Sequence, residues 1–269
     1  MDFSALLPRV IDLVMDAGVK ILDIYQQDDL GIEYKKDDSP LTRADKAAHD
    51  VLVAGLDRLN CGPVLSEESA SVPWDTRRVW TRYWLVDPLD GTKEFIKRNG
   101  EFTVNVALVD QGVPVLGVVY APAKDLLYFG AQGQGAHRRD ADGNEVAIKP
   151  AALPKADEVW RVVGSRSHQS EEFETFMKMF AAPEMVAMGS SLKLCLVADG
   201  SADLYPRLGP TSEWDTAAAQ AVAEAAGAQV LRADTFEPLR YNSKDSLLNP
   251  YFIVCAAPAA PWYSVEDPA

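Results

Sequence analysis

The sequence predicts a layered α/β protein of the α+β kind, and three observations carry that expectation. Two amphipathic helical stretches open the chain, at 5–26 and 42–59. Four strand-like runs then follow one another between 83 and 131, separated by Gly- or Pro-marked turns. Beyond 158, strand and helix patterns alternate. Period-3.6 stripes indicate helices, and short apolar runs rich in β-branched and aromatic residues indicate strands.

The elements follow in order. In 5–26, Leu6, Val10, Leu13, Val14 and Val19 fall near helical spacing. The polar stretch Gln26 to Pro40 reads as loop with some strand. Thr42 is the expected N-cap of the second helix, with Asp45 three residues on and a stripe of Leu52, Leu56 and Leu59. After Gly62-Pro63, "VLSEES" reads as a short strand entering a loop. "YWLV" (83–86), "FTVNVALV" (102–109), "PVLGVVYAP" (114–122) and "DLLYFGA" (125–131) read as a mostly antiparallel sheet, turning once at Gln111-Gly112. Residues 132–157 read as a hairpin and a linker, and the expected boundary there divides the chain into halves 1–140 and 141–269. Then come a strand at 159–165, a helix at 170–180, and a helix at 190–199 capped by Ser190 and stopped by Gly200. "SADLYPR" is a strand, 216–226 an alanine-rich helix ending at Gly227, and "FIVCAA" a last strand. Residues 256–269, "AAPAAPWYSVEDPA", read as a loose tail.

Composition excludes several function classes. With 269 residues, 48% hydrophobic and 25% charged, the chain can build a core without staples. A formal net charge of −14 repels polyanions, so nucleic acid and anionic membrane surfaces are poor partners. A small anionic substrate stays possible, because a bound divalent cation reverses the local field. Three cysteines, Cys61, Cys195 and Cys255, have no C-x-x-C spacing; they point to buried thiols and a cytoplasmic setting rather than a zinc site. The opening "MDFSALLPRVIDLVMDAG" is not patterned as a signal peptide, and no apolar run spans a membrane.

The chemistry gathers around "WLVDPLDGTKEF". Asp-Pro-Leu-Asp-Gly is good turn chemistry, and a tight turn would bring Asp87 and Asp90 together beside the carbonyl of Leu89. The turn ends a strand that reads as buried on both faces, where unpaired carboxylates are costly. Further acids stand at comparable strand-to-loop positions: Glu67 and Glu68 after "VLS", and Asp215 before the alanine-rich helix, in an N-cap position. Such a set, with no His or Cys nearby, selects a hard cation, Mg²⁺ or Mn²⁺.

"DPLDGT", the upstream "EES" and the downstream "WD" opening a small-residue helix resemble the metal-dependent, lithium-inhibited phosphatases of the inositol monophosphatase superfamily. "SPLTRAD", "GSRSH", "GSSLK", "YPR" and "LNPYF" resemble its bacterial 3′(2′),5′-bisphosphate nucleotidases, over roughly residues 5–255. The resemblance implies the αβαβα sugar-phosphatase fold and hydrolysis of 3′-phosphoadenosine 5′-phosphate to AMP and phosphate with two to three Mg²⁺, inhibited by Li⁺. It implies Glu67, Asp87, the Leu89 carbonyl, Asp90 and Asp215 as metal ligands, with Asp45 and Thr92 activating the attacking water. Asp45 has a second reading, as a capping-box acid reaching back to Thr42. Glu67, Leu89, Asp90, Gly91, Thr92 and Asp215 would also meet the substrate, where glycine permits close approach.

For the nucleotide, the resemblance implies Ser190, Lys193 and Arg207, with His168 against the adenosine. One departure is "WDTAAAQA", where many relatives carry glycine a few residues after Trp-Asp. The alternative on the same frame is an inositol monophosphatase or a sugar bisphosphatase. The chain is expected to be a monomer or homodimer. Some relatives sit peripherally at the inner membrane, and nothing in this acidic sequence accounts for that.

Overall fold

A computed structural model describes residues 3–35, 39–165 and 170–263. The chain begins with α1 (Phe3–Tyr25), a small ribbon of β1 (Glu33–Tyr34) and β2 (Pro40–Leu41), and α2 (Arg43–Leu59). β3 (Val64–Ser66), α3 (Trp74–Arg77), β4 (Arg82–Asp90) and α4 (Thr92–Ile96) lead into the meander β5 (Thr103–Asp110), β6 (Val113–Ala121), β7 (Leu126–Ala131), β8 (Gly135–Arg139) and β9 (Glu145–Ala147). There follow β10 (Val159–Gly164), α5 (Glu171–Met177), β11 (Ala182–Ala187), α6 (Leu192–Ala198) and β12 (Leu204–Arg207). α7 (Ala217–Ala226), β13 (Gln229–Arg232) and β14 (Phe252–Cys255) complete the described chain.

Seven strands in the order β3-β4-β5-β6-β7-β8-β9 form one sheet, antiparallel except for the parallel β3–β4 pair. Five strands in the order β11-β10-β12-β14-β13 form a second, mixed sheet. The predicted turn at Gln111-Gly112 joins β5 to β6 with φ of 50° and 76°, the left-handed pair that a two-residue hairpin of matching twist requires.

Strand alternation sorts the core into layers. Trp84, Val86, Val106 and Leu108 face α1 and α2, packing with Val10, Val14 and Leu52. Their neighbours Tyr83, Leu85, Ala107 and Val109 face the other way, onto Cys195 and Val197 of α6 and Ala218 and Val222 of α7. The far side of that helical pair packs on Val163, Tyr205 and Val254 of the smaller sheet. The smaller sheet's outer face, with Trp160, Val162 and Ile253, is covered by Phe173 and Phe176 of α5. The result is five layers, αβαβα, as the resemblance implied. Both faces of the larger sheet are covered, which is why its strands read as unbroken apolar runs despite antiparallel pairing.

One reading of the fold is corrected. Residues 256–263 are not loose: Trp262 is buried in the outer core, and Tyr263 meets Phe236 edge-on at 4.7 Å. An Ala-Pro run has no periodicity, but the aromatic pair behind it finds an apolar face to cover; 264–269 lie outside the described residues. β11 and β13 carry no sequence expectation: both are edge strands, β11 has no buried residue to mark a pattern, and β13 is only four residues long.

The central helices lie very close to the larger sheet. A Cβ placed on Gly117 of β6 would fall 2.1 Å from the Ala218 carbonyl oxygen of α7. Neither backbone can yield cheaply, and α7 begins directly behind Asp215. Gly117→Ala is therefore expected to destabilise the fold by at least ~2 kcal/mol, as overpacking does. The check is the urea unfolding midpoint; an unchanged midpoint contradicts this packing.

Candidate active site

β4 does not end in the tight turn that its sequence favours. It continues through Asp90, and its pairing with β5 slips between Asp87, opposite Asn105, and Asp90, opposite Thr103. Three steps on β4 thus span two on β5. The extra residue makes a bulge, which kinks the strand and re-aims its side chains. Pro88 tolerates this because it has no N–H to place in the ladder. The Leu89 amide donates to Asp87 Oδ1 at 3.0 Å, and Gly91 at φ 91° turns the chain into α4.

The bulge brings Asp87 and Asp90 to one point, and Asp215 joins them from across the core. Carboxylate oxygens of the three lie within 4.8 Å of one another. Asp215 is not the cap of α7. It closes the preceding 3₁₀ turn, accepting the Ser212 amide at 2.8 Å, and Thr216 occupies the cap position. Likewise Ser190 is not the cap of α6; it stands one residue earlier in the left-handed region, at φ 49°, and Ser191 takes the cap position.

Burial first, then the neighbouring acids Glu67, Asp90 and Asp215, push the Asp87 carboxyl well above its usual range. Burial and Asp90 push Asp215 up to about 8. Burial also raises Glu67, against the pull of Lys35. Among the described residues Asp87, Asp90 and Asp215 form no ion pair with Lys or Arg. Like charges held this close need protons or a cation between them. An all-oxygen donor set with buried carboxylates and the Leu89 carbonyl alongside fits a hard divalent cation.

Glu67 neighbours this trio but differs from it in being paired with a cation. Lys35 Nζ lies 2.7 Å from Glu67 Oε1 and 2.8 Å from Glu68 Oε1. Burial alone would lower the Lys35 ammonium, but the two acids hold it above its ordinary value. Sequence reasoning missed Lys35, since nothing in "EYKKDDSP" distinguishes it from a solvated lysine.

Asp45 realises both of its readings. Its Oδ2 accepts the Thr42 amide at 2.7 Å and the Thr42 hydroxyl at 2.6 Å, closing a capping box. Its Oδ1 faces the Thr92 hydroxyl at 3.3 Å, and that hydroxyl also lies 3.4 Å from the Leu89 carbonyl. Burial pushes Asp45 up to about 6.

Beside the acids opens a cleft of about 180 Å³, whose walls include Asp90, Asp215, Ser190, Lys193 and Arg207. An adjoining cleft of about 270 Å³ shares Ser165, Tyr205 and Arg207 with it. Among the described residues, neither the buried Ser190 Oγ nor the buried Arg207 Nε has a hydrogen-bond partner. Arg207 Nη2 donates to the Pro210 carbonyl at 2.7 Å. The Lys193 ammonium stands over the Tyr205 ring, 6.0 Å from its centre; burial lowers it and nearby Arg207 adds to that, while Asp90 opposes. His168 lies outside the described residues. Ser191, which bonds to Asp90, and Asn105, which bonds to Ser191, carry no expectation from sequence.

Comparisons with known proteins converge. The model of the inositol monophosphatase family matches residues 4–260. The 3′(2′),5′-bisphosphate nucleotidase CysQ of Salmonella typhimurium is 48% identical over 252 residues, covering 93% of this chain and 99% of its own. CysQ of Escherichia coli is 47% identical over 251 residues, with 93% and 99% covered. The crystal structure of CysQ from Bacteroides thetaiotaomicron superposes with a TM-score of 0.84 at 45% identity, covering 95% of this chain and 98% of its own.

The acid cluster makes stability depend on pH. Asp45 at about 6 and Asp215 at about 8 lie above the ~4 of an unfolded aspartate. The folded chain then holds protons that the unfolded chain releases. Their contribution is full below pH ~4 and is lost as pH rises through 6 to 8. In chelator, the melting temperature is expected to fall between pH 5 and 8.5, less steeply in Asp215→Asn. Added Mg²⁺ should raise it more at pH 8 than at pH 5, because cation and proton compete. Equal Mg²⁺ effects at both pH values contradict this picture.

Proposed function

Because the chain belongs to the inositol monophosphatase family, we propose that it is a Mg²⁺-dependent 3′(2′),5′-bisphosphate nucleotidase that converts 3′-phosphoadenosine 5′-phosphate to AMP and phosphate. The observation that carries this reading is the juxtaposition of three converging aspartates with a cleft holding Lys193 and Arg207. An acid cluster alone serves many phosphatases; two cationic side chains beyond it serve a substrate with a second phosphate.

Asp87, Asp90, Asp215 and the Leu89 carbonyl would hold the cation, with Glu67 in reach of a further one once Lys35 gives way. Bound there, a divalent cation polarises a phosphoryl oxygen and makes a bound water more acidic. The chain's own residues do the rest. The Thr92 hydroxyl takes up a proton from the attacking water as it passes its own to Asp45 Oδ1, the oxygen that the capping box leaves open. A carboxyl near 6 is suited to that exchange at neutral pH. The Gly91–Thr92 backbone admits the scissile phosphate closely, since glycine presents no side chain there. Ser190, Lys193 and Arg207 hold the second phosphate. Residues 1–140 thus supply most of the reaction chemistry, and 141–269 most of the substrate recognition. Free thiols at Cys61, Cys195 and Cys255 support a cytoplasmic setting, and no helix among the described residues is long and apolar enough to cross a membrane.

The test is phosphate release from 3′-phosphoadenosine 5′-phosphate. Turnover should require Mg²⁺, fall with Li⁺, and exceed that of inositol 1-phosphate at least ~10-fold, the worth of one modest contact. Lys193→Ala and Arg207→Ala should each raise KM for the bisphosphate. No turnover, or equal turnover of inositol 1-phosphate with both variants unimpaired, rejects the nucleotide assignment in favour of an inositol or sugar phosphatase. Thr92→Ala should lower kcat by ~10²–10⁴ with an unchanged melting temperature; full activity in that variant removes Thr92 and Asp45 from the proton path.

A further inference from the structure

Ser191 stands where the two sides of the site meet. Its amide donates to Asp90 Oδ2 at 2.6 Å, and its hydroxyl lies 2.7 Å from the same oxygen. The hydroxyl is also 2.7 Å from the Asp215 carbonyl. On its remaining side it accepts from Asn105 Nδ2 at 2.8 Å. Ser191 is 2% exposed and Asn105 1%. These bonds therefore exchange little with water, and each orphaned group would be costly.

One hydroxyl has one proton and faces two acceptors, Asp90 Oδ2 and the Asp215 carbonyl. Asn105 occupies a lone pair and so limits the hydroxyl's proton to these two acceptors. Asp90 Oδ2 then rests on a backbone N–H in every case and on the hydroxyl whenever the proton turns to it. Asp90 belongs to β4 of the larger sheet and Asp215 to the turn before α7, two elements far apart in sequence that pack directly against one another. Ser191 is also bracketed by the residues assigned to the second phosphate, Ser190 on one side and Lys193 two residues on.

We propose that Ser191, oriented by Asn105, is a positioning residue that sets the separation of Asp90 and Asp215 and ties it to the turn presenting Ser190 and Lys193. The inference rests on the reading of Asp90 and Asp215 as cation ligands, not on the identity of the nucleotide. Groups that orient a ligand's carboxylate alter metal affinity by ~10–100-fold when removed. Binding at one end of a shared rigid turn also strengthens binding at the other, reciprocally.

The experiment is calorimetric titration of Mg²⁺ into the full chain without substrate, for wild type, Ser191→Ala and Ser191→Thr, beside melting curves in chelator. Ser191→Ala should weaken Mg²⁺ binding ~10-fold or more, and Ser191→Thr, which keeps the hydroxyl, should recover most of it. The gain in AMP affinity on adding Mg²⁺ should shrink in Ser191→Ala. A purely structural role would lower the melting temperature and leave both quantities alone; that result overturns the proposal. If Ser191→Ala does not fold, Asn105→Ala carries the test: weaker Mg²⁺ binding supports the proposal, and unchanged binding overturns it. Wild type that binds Mg²⁺ without hydrolysing the bisphosphate rejects the substrate and leaves this inference standing. Wild type that binds no Mg²⁺ rejects both.

Discussion

Three carboxylates forced together out of water are the constraint around which this molecule is arranged. Asp87 is almost wholly buried, and Asp90 and Asp215 place their oxygens within 4.8 Å of it and of each other. Their repulsion is strongest where water is excluded. A fold that only sought stability would replace them with apolar groups. Nothing cationic among the described residues pairs with them, although Lys35 pairs with the neighbouring Glu67 and Glu68. Protein side chains thus offset the rim of the cluster and leave its centre to a proton or a cation.

The layers exist in a form that serves this convergence. β4 reaches the site from a sheet buried on both faces, and its bulge turns two side chains to one side. α6 and α7, held between the two sheets, bring Ser191 and Asp215 to the same place. The close seat of α7 against Gly117 needs small residues on the helix, and the run of alanines supplies them. Ala218 approaches β6 through its backbone carbonyl, and the facing glycine is on the strand, so alanine fits on the helix at this contact. Position and charge are then separable, since the helical layer fixes where the acids are and the cluster fixes what they can bind.

Sequence disclosed those parts of the site whose partners are local. The Thr42–Asp45 box lies within one helical turn, and Asp87 and Asp90 are three residues apart. Asp215 was legible through its motif, although its local role is to close a 3₁₀ turn rather than to cap α7. The bulge was hidden, because Asp-Pro-Leu-Asp-Gly satisfies turn chemistry equally well. Lys35, Asn105 and Ser191 were hidden for another reason: their partners lie 32, 86 and 101 residues away. A serine in a helix-capping position predicts a bond to its own helix, and here tertiary packing sends that bond to another strand. The layers themselves were legible from apolar runs, except at the sheet edges and at Trp262, where exposure or an Ala-Pro context masks the pattern.

The most direct test of a cation cage is to see the cation. Crystals of the chain grown with Mn²⁺ and measured at the manganese absorption edge would give an anomalous map independent of any assay. A cation cage predicts a peak enclosed by Asp87, Asp90, Asp215 and the Leu89 carbonyl. A featureless map at that place, with the three acids drawn apart or covered by lysine or arginine side chains, would contradict it.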